Sequence, residues 1–421
     1  MSDRTASSMS RTAWLVVALL VPVALLNYLD RQMLASMQGS VMQSIPDVET
    51  GQRWGLMLGL FKWVYAVLSP LGGYLADRFG RKRIVVFSLV AWSVVTWTTG
   101  QVNTYGELLA TRAMMGISEA FYIPAALALI ADFHTGPSRS RAVGAHQVGI
   151  YAGVIVGSFS GFVADNPSFG WRWAFDACGL VGILYALPLL LWLREAPRTE
   201  ISTSRAQVSV RAALGELLGN RDFVLLVLYF TLPAIAGWVV RDWMPAILRN
   251  ELKLAQGPAG VSATVWWQGA AIVSAILGGW LADRWMRHSV RGRIRASAMG
   301  MGCIIPALLG IGVALGQQSL WLSVAFLVLY GLGWGLFDGN NMPILCQIAR
   351  PELRATGYGV MNFVSISMGG FADLGFGAMR DAKVPLTMIF SLIAAAAAVS
   401  LVLVLMIRPT VADAGARPQD S

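Results

Sequence analysis

Asp30, Arg31, Lys62, Arg112 and Glu119 stand inside runs of the chain that are otherwise apolar. Within a membrane-spanning helix each would cost about 2.5–3.5 kcal/mol on insertion scales, so each needs a partner or a task. Neighbouring helical residues point about 100° apart, so Asp30 and Arg31 cannot neutralise one another on one face. Arg112 and Glu119 share a face two turns, about 10 Å, apart, which is beyond direct salt-bridge reach. All four therefore look to other helices or to a water-filled cavity. Arg31 and Arg112 keep their charge and can hold a carboxylate with paired N–H donors. Burial favours a neutral carboxyl and a nearby arginine a charged one, so proton occupancy at Asp30 and Glu119 can answer to an arriving anion. The set suits a proton carrier coupled to an anion site. Its alternative is a static charge network that fastens helices together. Lys62 lies three residues before Tyr65 on the same face. It would add a third cation, suited to a dicarboxylate or an acidic sugar, or would snorkel to the interface.

The elements that must position these groups follow from composition. The chain has 421 residues, 56% hydrophobic and 13% charged, with a mean hydropathy of +0.60. Soluble domains carry about 25% charged residues, so this chain lacks the polar surface to cover itself in water. Runs such as 386–407 are almost free of charge and long enough to cross a ~30 Å hydrocarbon core as a helix. A soluble enzyme, a secreted disulfide scaffold and a nucleic-acid binder are excluded. Cys178, Cys303 and Cys346 lie in apolar segments without ligand spacing and read as small buried hydrophobes. The polar start through Arg11 looks like a signal peptide, but no small-residue cleavage site follows, so it reads as a retained first span.

Twelve spans are expected, at 13–38, 54–76, 83–101, 105–131, 142–164, 172–193, 223–248, 260–282, 295–315, 320–342, 355–378 and 385–407. Of the 32 Lys and Arg residues, 22 then fall on one side, 6 on the other and 4 within spans. By the positive-inside rule both termini and the central loop are cytoplasmic, and the basic-poor side is the outer one. The excess positive charge (+9) is thus mainly topological, with lipid headgroups as its counter-ions. Arg-rich, Lys-poor usage suggests a bacterial inner membrane. A polar linker at 194–221 separates a six-helix bundle at 1–193 from a second at 222–421.

The halves repeat. Gly73-Tyr74-Leu75-Ala76-Asp77-Arg78 returns as Gly279-Trp280-Leu281-Ala282-Asp283-Arg284, an offset of 206 that also links Asp132 to Asp338 and Pro137 to Pro343. Arg141-Ala142-Val143-Gly144 is answered by Arg354-Ala355-Thr356-Gly357. Repeated bundles with a site at the membrane midplane are a transporter architecture. Gly73 through Arg83 resembles the loop signature between spans 2 and 3 of the major facilitator superfamily. The resemblance implies an all-α fold of twelve transmembrane helices in two pseudo-symmetric bundles, alternating access, and no enzyme activity. It makes Asp77, Arg78, Arg81, Asp132, Asp283, Arg284 and Asp338 candidates for cytoplasmic gating latches. Headgroup anchoring is the simpler reading of the basic residues at 81–83.

Asn27-Tyr28-Leu29-Asp30-Arg31, with Arg112 and Glu119, further resembles the anion:cation symporter branch, which carries hexuronates, galactonate and other organic acids. That resemblance implies Asp30 and Glu119 as the proton-coupling pair. Arg31 and Arg112 become substrate or relay arginines, with Tyr65 and Gln147 hydrogen-bonding from the cavity wall. The Spinster-like branch, tied to lipid and drug-like efflux, shares a similar span 1 Asp-Arg and span 4 Glu. Glycine at 149, 153, 157 and 161, without the proline of drug antiporters, marks a close-packing face instead. In the second half, Asp30 and Glu119 are answered by Ala236 and Ala325, so that half is expected to shape the pocket through Trp238, Gln268, Asn340 and Asn362. Tyr229, Trp267 and Asn341 are further candidates there. Arg241-Asp242 reads as an outer gate or headgroup anchor. His134 and His288 are expected in solvated loops, and His146 in satisfied packing. The expectation is a monomeric, proton-coupled importer of a small organic anion, without metal or cofactor, and its rival is an exporter of amphipathic lipids or drugs.

Overall fold

Apolar runs that must hide their backbone polar groups from lipid can do so only as helices or closed barrels. In the computed structural model the chain takes the helical solution. The structure describes residues 2–134, 138–195 and 209–409. Among them all regular structure is helical, with no strand. Ten segments are long and apolar enough to cross a membrane: Arg11–Ser36, Gly51–Gly72, Tyr105–Phe133, Arg141–Asp165, Gly170–Trp192, Arg221–Leu252, Gln256–Met286, Gly292–Gly316, Leu320–Ile348 and Leu386–Met406. Two further helices, Arg81–Thr99 and Arg354–Asp381, are 19 and 28 residues long. They are more polar, the first opening on Arg81-Lys82-Arg83 and the second carrying Asp373, Arg380 and Asp381. Taken in chain order these segments are spans 1 to 12, the number expected from the sequence. Large apolar side chains such as Phe87, Leu191, Ile276 and Trp321 stand exposed around them, where lipid would meet them.

The starts of spans 2, 4 and 10 are capped as their sequences suggest. Thr50 accepts from the Arg53 N–H at the head of span 2, and Ser319 from the Leu322 N–H at span 10. Thr104 and Glu107 form a reciprocal capping box at span 4. At the ends of spans 4 and 10 arginine does the equivalent task for carbonyls. Arg139 donates to His134 and Ala131, and Arg354 donates to Ala349 and Cys346. The offsets, five and eight residues back, are the same in both halves. Geometry therefore matches Arg354 with Arg139, whereas the four-residue sequence motif aligns it with Arg141. The short helix Asn341–Ile348 lies in the intervening stretch of the second half.

The chain divides into two compact units. The first joins Met1–Ser202 with Arg241–Thr264 and Asp373–Ala378; the second joins Thr203–Val240, Val265–Ala372 and Met379–Ser421. In the first unit, span 1 lies along span 5, span 3 along span 6, and span 2 against span 4. In the second, span 9 packs on spans 10 and 12.

Glycine spacing explains the tightest of these contacts. A Cβ on Gly149 would lie 2.6 Å from the Val21 carbonyl oxygen, and one on Gly157 would lie 2.6 Å from that of Leu29. Gly153 meets the Leu25 carbonyl in the same way. Residues 21, 25 and 29 thus march against 149, 153 and 157, and the backbones touch because no side chain intervenes.

Candidate functional site

Span 5 fixes span 1 where Asp30 and Arg31 sit, since Leu29 is one of the backbone contacts. Span 4 presents Glu119 by a different device. Its helix Tyr105–Glu119 ends there, and a new helix, Tyr122–Phe133, begins after a two-residue turn. Pro124 lacks the N–H that would have bonded to the Ala120 carbonyl, which is a sufficient reason for the interruption. Gly72 on span 2 makes room for it, since a Cβ there would lie 3.0 Å from the Phe121 Cα. Glu119 is thus the last residue before a break and is fully buried.

The charges find their partners across helices, as the spacing argument required. Arg31 Nε donates to Glu119 Oε2 at 2.7 Å, and Nη2 approaches the same oxygen at 2.5 Å. Its Nη2 also donates to Asn27 Oδ1 at 3.3 Å. The rings of Tyr28, Phe61 and Tyr65 stand 4.8, 4.7 and 5.0 Å from the guanidinium carbon. Such ring faces attract a cation. Asp30 Oδ2 meets the Thr96 hydroxyl of span 3 at 2.5 Å. Arg112 Nη2 donates to Thr99 Oγ1 at 2.9 Å. Asn27 Nδ2, Asp30 Oδ1, Arg112 Nε and Glu119 Oε1 are buried without a hydrogen-bond partner among the described residues. Leaving such groups unmade costs about 1–3 kcal/mol each, so this cluster stays ready to change partners.

Lys62 does not stand as a third cation beside Arg31. Its ammonium is bound by the carboxylates of Asp242 and Asp373, and all three are buried. Trp243 Nε1 donates to the other oxygen of Asp373 at 3.2 Å. The expected substrate-binding role of Lys62 is therefore corrected, because its charge is already engaged twice. Asp242, expected as an outer gate or headgroup anchor, is buried in this cluster.

The remaining candidates are scattered. Tyr65 belongs to the Arg31 collar. Gln147 is half-buried on span 5. In the second unit Gln268 is buried with Oε1 lacking a hydrogen-bond partner among the described residues. Asn340 and Asn362 each spend an amide N–H on their own helix, at Leu336 and Tyr358. Trp238 packs against Gly369. Among the gating candidates Arg81 and Asp132 are brought together in an ion pair. Arg78 donates to the Tyr74 hydroxyl at 3.1 Å, and Arg284 stacks 5.6 Å from the Trp280 ring. Asp283 lies 4.0 Å from Arg293 on an exposed surface. Asp338 closes the first helix of span 10. Asp77 lies in the helix Gly51–Phe79, with its side chain outside the described residues, as is all of Pro137.

Two histidines differ in their outcome. His134, expected in solvent, is buried between Ser138 Oγ and the Ala13 carbonyl, with Trp14 edge-on. His146 is packed and bonded to the Tyr122 hydroxyl at 2.9 Å, as anticipated. Sequence reasoning missed Thr96, Thr99, Tyr28, Phe61 and Asp373. Asp373 carried the signal used elsewhere, a carboxyl within an apolar span. The threonines did not, since such residues in helices ordinarily bond back to their own turn.

Comparison with known proteins fits this geometry. The Major Facilitator Superfamily profile matches residues 20–372. The chain belongs to that superfamily. It is accordingly a multi-pass membrane transporter and not an enzyme. Among similar proteins is Protein spinster of Drosophila melanogaster, 26% identical over 382 residues, covering 86% of this chain and 61% of that one. Protein spinster homolog 1 of Homo sapiens is 32% identical over 267 residues, 60% of this chain and 49% of that protein. The chain spans about half the length of the first such relatives it matches. In fold it is similar to a bacterial homolog of the human lysosomal transporter Spinster, solved inward-facing and unoccupied. That likeness has a TM-score of 0.75 at 20% identity over 94% of this chain and 95% of the other. A D-xylose-proton symporter gives a TM-score of 0.78 at 16% identity over 94% and 98%.

Proposed function

We propose that this transporter couples protons to the movement of an organic anion by alternating access, with Asp30 and Glu119 as proton carriers and Arg31 as the anion's anchor. The observation that carries the reading is the Arg31–Glu119 pair. Glu119 occupies, in the absence of substrate, the guanidinium face that a substrate anion needs. Protonating Glu119 frees that face, so anion and proton enter as one electrically matched event. Arg112 stabilises the same network from span 4.

The substrate class follows from what surrounds the charge. With Lys62 engaged elsewhere, the cluster offers two arginines and a collar of three rings. That arrangement favours one anionic group on a bulky apolar body over a polyanion. Similarity to the Spinster proteins supports the same choice, so the preferred substrate is an amphipathic lipid-like or drug-like anion. Proton-driven uptake of a sugar acid or simple carboxylate is the second reading, favoured by the motif of Asp30-Arg31 with Arg112 and Glu119. The setting for either is a bacterial inner membrane, with both termini cytoplasmic and a monomer as the working unit. Asp77, Arg81, Asp132, Asp283 and Asp338 serve as cytoplasmic latches, and Lys62 with Asp242 and Asp373 as the outer gate. Gln147 is the first unit's further candidate for substrate contact, and Trp238, Gln268, Asn340 and Asn362 are the second unit's.

A counterflow panel in proteoliposomes tests the class. Anionic single-chain amphipaths are expected to exchange, while sugar acids and dicarboxylates stay inert. Exchange of a dicarboxylate alone would overturn the amphipath reading.

A further inference from the structure

We propose that Thr96 is a positioning residue that lets Asp30 gain and lose its proton without stranding a buried hydrogen-bonding group. The inference rests on Asp30 being a proton carrier and names the device that makes it reversible.

Thr96 Oγ1 lies 2.5 Å from Asp30 Oδ2 and 2.9 Å from the carbonyl oxygen of Trp92. Both neighbours are oxygens. A carbonyl can only accept, and an ionised carboxylate can only accept. Thr96 has one hydrogen to give and two lone pairs. With Asp30 charged, the hydroxyl turns toward Oδ2 and the Trp92 carbonyl keeps only its helical bond. With Asp30 neutral, the acid O–H donates to Thr96, and Thr96 passes its own hydrogen to Trp92. Rotation about one C–O bond thus serves both forms, and no heavy atom has to move. Thr99, three residues on, marks the contrast. Its hydroxyl donates to Val95 at 2.8 Å and accepts from Arg112 at 2.9 Å, so its single arrangement is already complete.

The neighbourhood leaves few other partners for that proton. Arg31 on its own span and Arg112 and Glu119 on span 4 act on Asp30 electrostatically, and the Cys178 thiol does so from span 6. Span 5 contributes His146, which is committed to the Tyr122 hydroxyl. Of the described groups, Thr96 is the one in hydrogen-bond contact with the Asp30 carboxyl.

The test uses the full chain in liposomes, titrated with acid alone and followed by infrared difference spectroscopy. The protonated carboxyl band of Asp30 is identified by its loss in Asp30→Asn. In Thr96→Val that band should move in frequency, and its titration midpoint should shift by about one pH unit, the size of one lost hydrogen bond to a charged group. Thr96→Ser, which keeps the hydroxyl, should keep both at the wild-type position. Should the valine variant fail to assemble, Thr96→Ala gives the same reading. An unmoved band and midpoint without the hydroxyl overturns the proposal, as does a serine variant displaced as far as valine. If no titrating band disappears in Asp30→Asn, the carrier reading itself fails, and Thr96 with it.

Discussion

Two buried ion clusters occupy the first unit, and they are built on opposite plans. In one, Asp30, Arg31, Arg112 and Glu119 are spread over spans 1 and 4, tied in part to neutral hydroxyls, and several of their polar atoms lack a hydrogen-bond partner among the described residues. In the other, a single ammonium, Lys62, is gripped by two carboxylates, one of which also takes an indole N–H. The first is under-satisfied and can exchange partners at modest cost. The second is held from both sides and can only let go as a whole. Buried charge alone therefore does not separate the two clusters; the difference is buried charge left with valences to spare.

The comparison breaks most visibly at Lys62. Lys62→Ala strands two buried carboxylates, and removing one partner of a buried pair costs about 3–5 kcal/mol. Thermal unfolding in detergent should show that loss, and Lys62→Met combined with Asp242→Asn and Asp373→Asn should recover most of it. A single substitution costing no more than a surface pair, under about 1 kcal/mol, would dissolve the clasp. Arg31→Ala comes next. Substrate affinity should fall by about 2 kcal/mol or more, as for a lost charge-assisted bond, read by isothermal titration. Arg31→Lys should not restore it, because a point charge cannot place paired N–H donors on the substrate's anionic group while lying among three rings. The smallest effect sharpens the scaffold beneath the first cluster. Gly153→Ala should destabilise by about 1–3 kcal/mol, through overpacking against Leu25. Gly144→Ala, with open space around its Cβ, should be neutral or slightly stabilising in the same melt.

Much of this was legible in the residues. Apolar run length pointed to the spans and glycine at every fourth position to a close-packing face on span 5, but not to span 1 as the helix that meets it. The ionisable residues of spans 1 and 4 could be singled out because a charge in hydrocarbon is costly wherever it sits. Their pairing could not, since it depends on which helices touch. Spacing along one helix already keeps Arg112 from Glu119; that Arg31 is the partner depends on how span 1 meets span 4. Lys62 was misassigned for the same reason: its partners lie 180 and 311 residues away, and no local pattern connects them. Thr96 was invisible because a threonine bonded to its own helix looks the same whether or not it also touches a carboxyl.

The most direct test is the internal pH of proteoliposomes when the anion that exchanges in the counterflow panel is added outside, wild type beside Asp30→Asn. The account predicts acidification coupled to the anion in the wild type, because anion and proton travel together. In the variant it predicts no pH change, with anion exchange retained. A variant that moves protons as the wild type does would contradict it.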